Sequence, residues 1–402
     1  MKTYKAFIRL VSKPSFLLIV YLVISIGAGL QTAFADMLSP YREGSYDFIR
    51  NSSMNNYAIY QGSFFHLLQH KFLYGYHWSE HYDLYLYSPS FPFVIMPFAL
   101  LQKYIGVVVW CVFNALVLFY AVRWLKIDEK KKVIIHWFIL VELITAIQNV
   151  QVNPLVAALF VLTFIAFERK QVGLAALLIA SSMFIKIFGI VGAAFFILYP
   201  NRLKFIGYLF LWSSLIFLSP LIFISWDELI KQYLGWYTTI ITLHSENIGD
   251  LSAMQLLASL FQFTLSDLGR YTIQATAVIL FCLKYIRYHS FTHPQFKLLF
   301  LASILVWTTI FNNAVESPSF IIAITGVAIW YIADEKSKLN LGLLIFALVI
   351  TSLSHSDLFP RYIRDNFIDP YALKCLPCFI IWLKIEFELL FRKRSLAQPL
   401  HA

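Results

Sequence analysis

The sequence predicts an all-α polytopic membrane protein, and three observations carry that prediction. Of its 402 residues 59% are hydrophobic and 13% charged, too much apolar surface for a water-soluble domain. Apolar runs of about 15 to 22 residues recur along the chain, close to the roughly 20 that a bilayer-crossing helix needs. The lysines and arginines sit in short stretches between those runs and form no stripe, so the pI of about 9.2 reports topology and excludes a nucleic-acid partner.

Started with its N terminus inside, the chain sorts its basic residues to the cytoplasmic side. Ser15 to Ala33 is too long for the apolar region of a signal peptide and is followed by further spans, so it reads as a retained first span. Residues 34–89 form a first outer loop, with apolar residues around Phe64 to Leu73 spaced as in a surface-lying amphipathic helix. Ser90 to Leu101 is too short to cross and is interrupted by proline, which makes it a half-span. Ile105 to Val122, Val133 to Ile147 and Asn153 to Phe167 read as spans. Val172 to Tyr199 lies between basic loops and reads as two short helices turning near Ile185 to Gly189. Phe205 to Ser225 leads to a second large outer loop, 226–270, with an amphipathic middle and with His244, Glu246 and Asp250. Tyr271 to Ile286, Phe296 to Phe311, Ser317 to Ala333, Leu341 to Leu353 and Leu373 to Leu390 bring the total to about 12 crossings. Both termini are then cytoplasmic, and residues 1–402 form a single membrane domain.

The four cysteines, Cys111, Cys282, Cys375 and Cys378, include one CxxC pair. Without a second pair or histidines at ligand spacing this is a weak zinc signal, and two packed small residues are the plainer reading. No glycine-rich phosphate loop, HExxH or GxSxG occurs, so no metal or other cofactor is expected.

Chemistry concentrates between Asn55 and Pro89. Glu80, His81 and Asp83 fall within four residues of one another, flanked by Tyr76, Trp78, Tyr82, Tyr85 and Tyr87. Sugar transfer from a lipid phosphate needs a carboxylate to take a hydroxyl proton, cationic groups for the leaving phosphate, and aromatic faces for sugar and isoprenoid. An interfacial aromatic belt with solvated charges presents the same composition. Lys186 lies in apolar sequence, where a lysine costs about 2.5 to 3.5 kcal/mol unless it pairs or meets water. It is either a functional cation or the ion-pair partner of Glu142. Gln148, Asn149, Gln151 and Asn153, ended by Pro154, interrupt apolar helix at an outer turn. Such a break either lines a watery cavity or is a plain loop.

These residues together resemble glycosyltransferase family 87, polytopic C-type transferases that include polyprenyl-phosphate-mannose-dependent mannosyltransferases. The resemblance rests on Asn56-Tyr57-Ala58-Ile59-Tyr60, Tyr74, Tyr87-Ser88-Pro89, Gln151-Val152-Asn153 and Lys186. It runs from Asn55 to Tyr199, and the second half matches only in hydropathy and in the polar turn Asn312 to Pro318. Two positions depart from the family pattern. Asn56 stands where an aspartate base is usual, and an amide cannot take the proton in the same way. Val150 stands where a glycine commonly precedes the Gln-x-Asn pair.

The resemblance implies a C-type bundle at the inner membrane of a bacterium. Its reaction would move a hexose such as mannose, with inversion, from a polyprenyl-phosphate-linked donor to a lipid or glycan acceptor on the outer face, among membrane lipids. Asp83 is the expected catalytic base, with Glu80 and His81 beside it and Glu316, Asp36 and Asp47 behind. Lys186 and Gln151 are expected to hold the phosphate and Asn56 to orient sugar or acceptor; Tyr60, Tyr87, Asn153 and Glu316 complete the substrate-binding set. Two other classes stay open. A lipid-linked sugar transporter would more often show internal repeats, and none is found here. A catalytically silent relative acting as a membrane partner would account for Asn56.

Overall fold

The computed structural model describes residues 9–41, 44–243, 250–313, 315–334, 336–356 and 358–391. Among them every regular element is helical and there is no strand, as the apolar runs require: in lipid, a helix satisfies its own backbone polar groups. Three stretches are long and apolar enough to cross a membrane, Pro14–Met37, Lys103–Arg123 and Arg202–Ile222, and shorter apolar helices follow, including Asn153–Glu168, Val172–Ile185, Pro294–Ile310 and Ser317–Ala333. The chain forms two compact units, one of Met1–Ala121 with Leu143–Asn247 and one of Val122–Glu142 with Ile248–Ala402. His244 and Glu246 lie outside the described residues.

The first unit holds α1 (Pro14–Met37), α2 (Tyr46–Arg50), α3 (Asn55–Leu68), α4 (Pro92–Ala99) and most of α5 (Lys103–Arg123). After the end of α6 (Glu129–Gln148) come α7 (Asn153–Glu168), α8 (Val172–Ile185), α9 (Arg202–Leu218) and α10 (Trp226–Leu243). The half-span of the sequence is the eight-residue α4, which starts on Pro92 and carries Pro97 inside it. The expected surface-lying helix around Phe64 to Leu73 is different in kind. α3 ends at Leu68, and Tyr57, Ile59, Tyr60, Ser63, Phe64, His66 and Leu67 are buried on it. These residues cover more than one face, so packing on several sides replaces the single apolar stripe of an interfacial helix.

Val172 to Tyr199 breaks where the sequence places its turn. α8 ends at Ile185, Lys186 adopts an extended conformation, and a 3-10 helix runs over Ile187–Leu198. That second piece folds back along α8: a Cβ on Gly189 would lie 2.3 Å from the Ser182 carbonyl carbon, and one on Gly192 3.3 Å from Ile179. Only glycine allows the backbones that close at position 189.

The second unit contains α11 (Ala253–Leu260), α12 (Asp267–Leu283), α13 (Pro294–Ile310), α14 (Phe320–Ala333), α15 (Lys338–Phe346) and α16 (Leu376–Phe391). Its buried charges are paired, as burial demands. Lys374 donates to Glu142 at 2.9 Å and to Ser317 at 2.8 Å. Lys284 donates to Glu386 at 2.9 Å, with the Ser303 hydroxyl between them. Arg270 meets Asp250 at 2.9 Å, and Ser252 donates to the same carboxylate. Glu142 is therefore the partner of Lys374, which removes the reading that Lys186 neutralises it. Asp250, from the second large loop, is likewise consumed by a structural pair.

Candidate active site

α3 and the loop after it build the site. The helix closes with paired backbone bonds, Lys71 N–H to His66 O and His70 N–H to Leu67 O, and with His70 in the left-handed region at φ 57°. This is the Schellman ending. The chain from His70 to Phe91 has no regular helix but is held along its length by α10. Gln232 accepts from Leu73 N–H at 3.0 Å and donates to Lys71 O at 2.8 Å. Trp236 donates to Leu86 O at 3.1 Å, and the Tyr233 hydroxyl is 2.7 Å from that of Ser90. The amide of Gln232 supplies the backbone partners that this irregular segment lacks. The first loop and the helix of the second are thus one structure, a link that no local pattern announces.

Buried tyrosines then fix the loop's return to α4. Tyr74 donates to Tyr87 O at 2.8 Å, Tyr85 to Ser88 O at 2.7 Å, and the Tyr60 and Tyr87 hydroxyls lie 2.9 Å apart. Ser88 donates to Phe184 O at 2.5 Å, which ties the Tyr-Ser-Pro segment to the end of α8. Lys186 stands at that end, half-buried, with Nζ 2.8 Å from Asn153 Oδ1 and 5.9 Å from the Tyr87 ring centroid. Asn153 is buried, and its Nδ2 makes no hydrogen bond among the described residues. Tyr60, Tyr87, Asn153 and Lys186, dispersed over more than a hundred residues, are brought together. A lysine held this way is a fixed point charge beside an aromatic face.

The polar turn is the end of α6. Val150 N–H bonds to Ile147 O at 2.8 Å and Gln151 N–H to Ala146 O at 2.9 Å, another Schellman ending, with Val150 at φ 52°. A β-branched residue in that conformation is a genuine outlier and costs about 1 to 3 kcal/mol. The glycine that the resemblance leads one to expect before Gln151 would thus fall at a left-handed position, where glycine's freedom is used. Burial offsets the strain, because the Val150 side chain is 1% exposed. Val150→Ala and Val150→Gly both lose that burial, but only glycine relieves the backbone. The glycine variant is expected to unfold at or above the temperature of the alanine variant, the reverse of the usual order in a core. A glycine variant that melts clearly below the alanine one would remove the strain.

Asn56 bridges to this turn, its Nδ2 donating to Asn149 O at 2.8 Å. Its neighbour Asn55 accepts from Tyr82 N–H at 2.8 Å and donates to Asp83 Oδ2 at 2.6 Å. The start of α3 therefore holds the polar turn with one amide and the acidic loop with the next. Asp83 is exposed and anchored by one oxygen. Asp36, by contrast, is buried and accepts from Lys103 at 2.8 Å and Ser52 at 2.5 Å, which makes it a structural carboxylate. Asp47 lies in the first turn of α2, where it complements the helix dipole. Gln151 is buried two residues beyond Asn149. Glu316 belongs to the second unit, exposed at the start of the 3-10 turn Ser317–Ser319.

Glu80 and His81 enter a cluster that sequence reading missed. His66 Nε2–H donates to Glu80 Oε2 at 2.8 Å. The His77 ring lies 3.9 Å from that of His66, and its Nε2–H donates to Phe72 O at 3.0 Å. His81 is buried behind them and its Nδ1–H donates to the Asp83 carbonyl at 2.8 Å. Burial, with the neighbouring His77, holds His66 below the ordinary imidazole range, and burial brings His81 down to about 4. Both rings are neutral at pH 7. His66, His77 and Glu80 each offer one ligand atom within 4.8 Å of the others. The signal that could have found them is three ligand residues, two histidines and a glutamate, inside 15 positions across the end of a helix and the loop after it; the spacing fits no named motif.

On the outer surface of the loop, Tyr76 and Trp78 stack at 4.6 Å and 5°, both well exposed, with Tyr82 edge-on to Trp78 at 5.6 Å. An exposed aromatic platform of this kind suits the apolar face of a sugar ring.

No curated protein matches the chain. The family model described as Glycosyltransferase family 87 matches residues 85–353. The match runs well past Tyr199, so the second half shares more with the family than the hydropathy and single polar turn read from it. It includes Tyr87, Gln151, Asn153, Lys186 and Glu316 and begins after Asn56, Glu80, His81 and Asp83. With more than half of its residues matched, and with its long and short apolar helices, this chain belongs to glycosyltransferase family 87 and is a multi-pass membrane glycosyltransferase.

Proposed function

We propose that the protein transfers a hexose such as mannose from a polyprenyl-phosphate donor to a lipid or glycan acceptor. In this reading the enzyme is of the C type, crosses the membrane of a bacterium about 12 times with both termini in the cytoplasm, and works on the outer face. The observation that carries the reading is Lys186: a half-buried cation at a helix break, held by Asn153 and faced by Tyr87. A leaving phosphate there gains a preorganised positive charge in a site of reduced water, where such charges act most strongly.

The chemistry is a displacement at the anomeric carbon. The acceptor oxygen forms the new bond to that carbon, the bond from carbon to phosphate oxygen breaks, and the sugar inverts. Asp83 takes the acceptor proton, and the polyprenyl phosphate leaves against Lys186 and Gln151. Asp83 and Glu80 are both exposed, and Asp83 is favoured as base because its one partner is the neutral amide of Asn55, whereas Glu80 is bonded to the His66 ring and the buried Asp36 to Lys103 and Ser52. Glu80 and His81 fix the loop that carries it. Asn56 acts at one remove, by holding the polar turn that contains Gln151.

Purified protein in proteoliposomes, given radiolabelled polyprenyl-phosphate hexose, is expected to pass label to acceptor, and nucleotide-linked hexose is expected to pass none. Label arriving from the nucleotide sugar would overturn the donor class. Lipid-linked sugar that crosses the bilayer without transfer would make the protein a transporter.

A further inference from the structure

We infer that His66, His77 and Glu80 form a binding site for a divalent transition metal of the zinc class, set in the loop that carries Asp83. Each residue supplies a ligand atom within 4.8 Å of the other two, so small side-chain shifts bring all three onto one ion with bonds of about 2.0 to 2.2 Å. Two imidazoles and one carboxylate favour zinc and its neighbours over magnesium or calcium, which take oxygen ligands.

Several features beyond ligand type point the same way. His66 is 2% exposed and comes from the last turn of α3, so its ring is fixed by a packed helix. The Phe72 carbonyl restrains the His77 ring, a restraint common to imidazoles that bind metals. His66 and Glu80 already face each other at 2.8 Å. When an ion takes the His66 Nε2 lone pair, the ring proton moves to Nδ1, and the carboxylate exchanges that N–H for the metal. No charge is left buried without a counter-charge.

Three protein ligands leave a fourth position for water or a substrate oxygen, the pattern of open zinc sites. The consequence for the loop is mechanical. Glu80 is three residues before Asp83, and the intervening His81 holds the Asp83 carbonyl, so an ion on Glu80 ties this segment to α3 at a second point besides Asn55.

Metal binding is measured without any sugar transfer, so its outcome is separate from that of the donor assay. Purified full-length protein is stripped with chelator, given zinc alone, and titrated against a chromophoric competitor. The wild type is expected to hold one tight zinc per chain that millimolar magnesium does not displace. His77→Ala and Glu80→Gln, both at accessible positions and checked for folding by size exclusion and circular dichroism, are expected to bind it about 100-fold more weakly or worse. Zinc should also raise the thermal midpoint of the wild type and leave that of both variants unmoved. Absence of a tight zinc in the wild type, retention of it by both variants, or displacement by magnesium would overturn the site.

Discussion

Asp83→Asn is expected to lower the rate of sugar transfer by about 10² to 10⁴, the scale on which a general base contributes. Donor binding should change little, because the loss falls on proton removal from the acceptor in the transition state. The substitution is nearly isosteric, so the 2.6 Å contact with Asn55 is the part of the loop it puts at risk. A thermal unfolding measurement on the variant separates that effect from the chemistry. Asn56→Asp is the informative companion. It sets an acid where the resemblance implies one, but it also sets a carboxylate against the Asn149 carbonyl that the amide now binds at 2.8 Å. Two acceptors face each other there, which costs about 1 to 3 kcal/mol when the group is buried and less at a half-exposed site such as this. Asn56→Asp is therefore expected to weaken the polar turn and to leave Asp83→Asn unrescued. Normal turnover by Asp83→Asn would move the base elsewhere, with Glu80 and Glu316 next to be tested.

Lys186→Met is expected to lower turnover by about 10² to 10³, the range for removal of one electrostatic stabiliser of a developing charge. Lys186→Arg should keep a fraction of the rate, because the charge survives while the compact ammonium becomes a planar fork. The methionine variant also leaves the buried Asn153 Oδ1 without the donor it now has at 2.8 Å, a loss of about 1 to 3 kcal/mol. Asn153→Leu removes the same hydrogen bond and keeps the cation. If Lys186 only holds Asn153, both variants lose stability equally and Lys186→Met transfers sugar like the wild type. If it carries the phosphate, Lys186→Met is far slower than Asn153→Leu at equal folded fraction.

What was legible in the sequence was set by nearest neighbours. The break at Lys186 could be read from a run too long for one helix and too short for two ordinary spans, bounded by basic loops, and the contact of Gly189 with Ser182 shows the turn that this demands. α1, α5 and α9 follow from apolar length, and α4 from its prolines. Pairings over distance were not legible. Lys374 is 232 positions from Glu142 and Gln232 is 159 from Leu73, and no periodicity connects them. The same is true of His66 and Glu80, 14 apart across the end of a helix. The Schellman ending at Val150 was hidden because its sequence mark, a glycine, is missing. α3 was misjudged for a related reason: apolar spacing tells which residues prefer burial, while the tyrosines, serine and histidine buried with them are placed by hydrogen bonds that only the folded loop provides.

In the proposed reaction this family 87 chain moves sugar from a lipid phosphate with Asp83 as its base. Single-turnover transfer from a radiolabelled polyprenyl-phosphate hexose, measured side by side for wild type and Asp83→Asn in proteoliposomes, tests it most directly. Rapid transfer is expected from the wild type and transfer about 10² to 10⁴ slower from the variant, with equal donor binding. Equal single-turnover rates for the two proteins would contradict it.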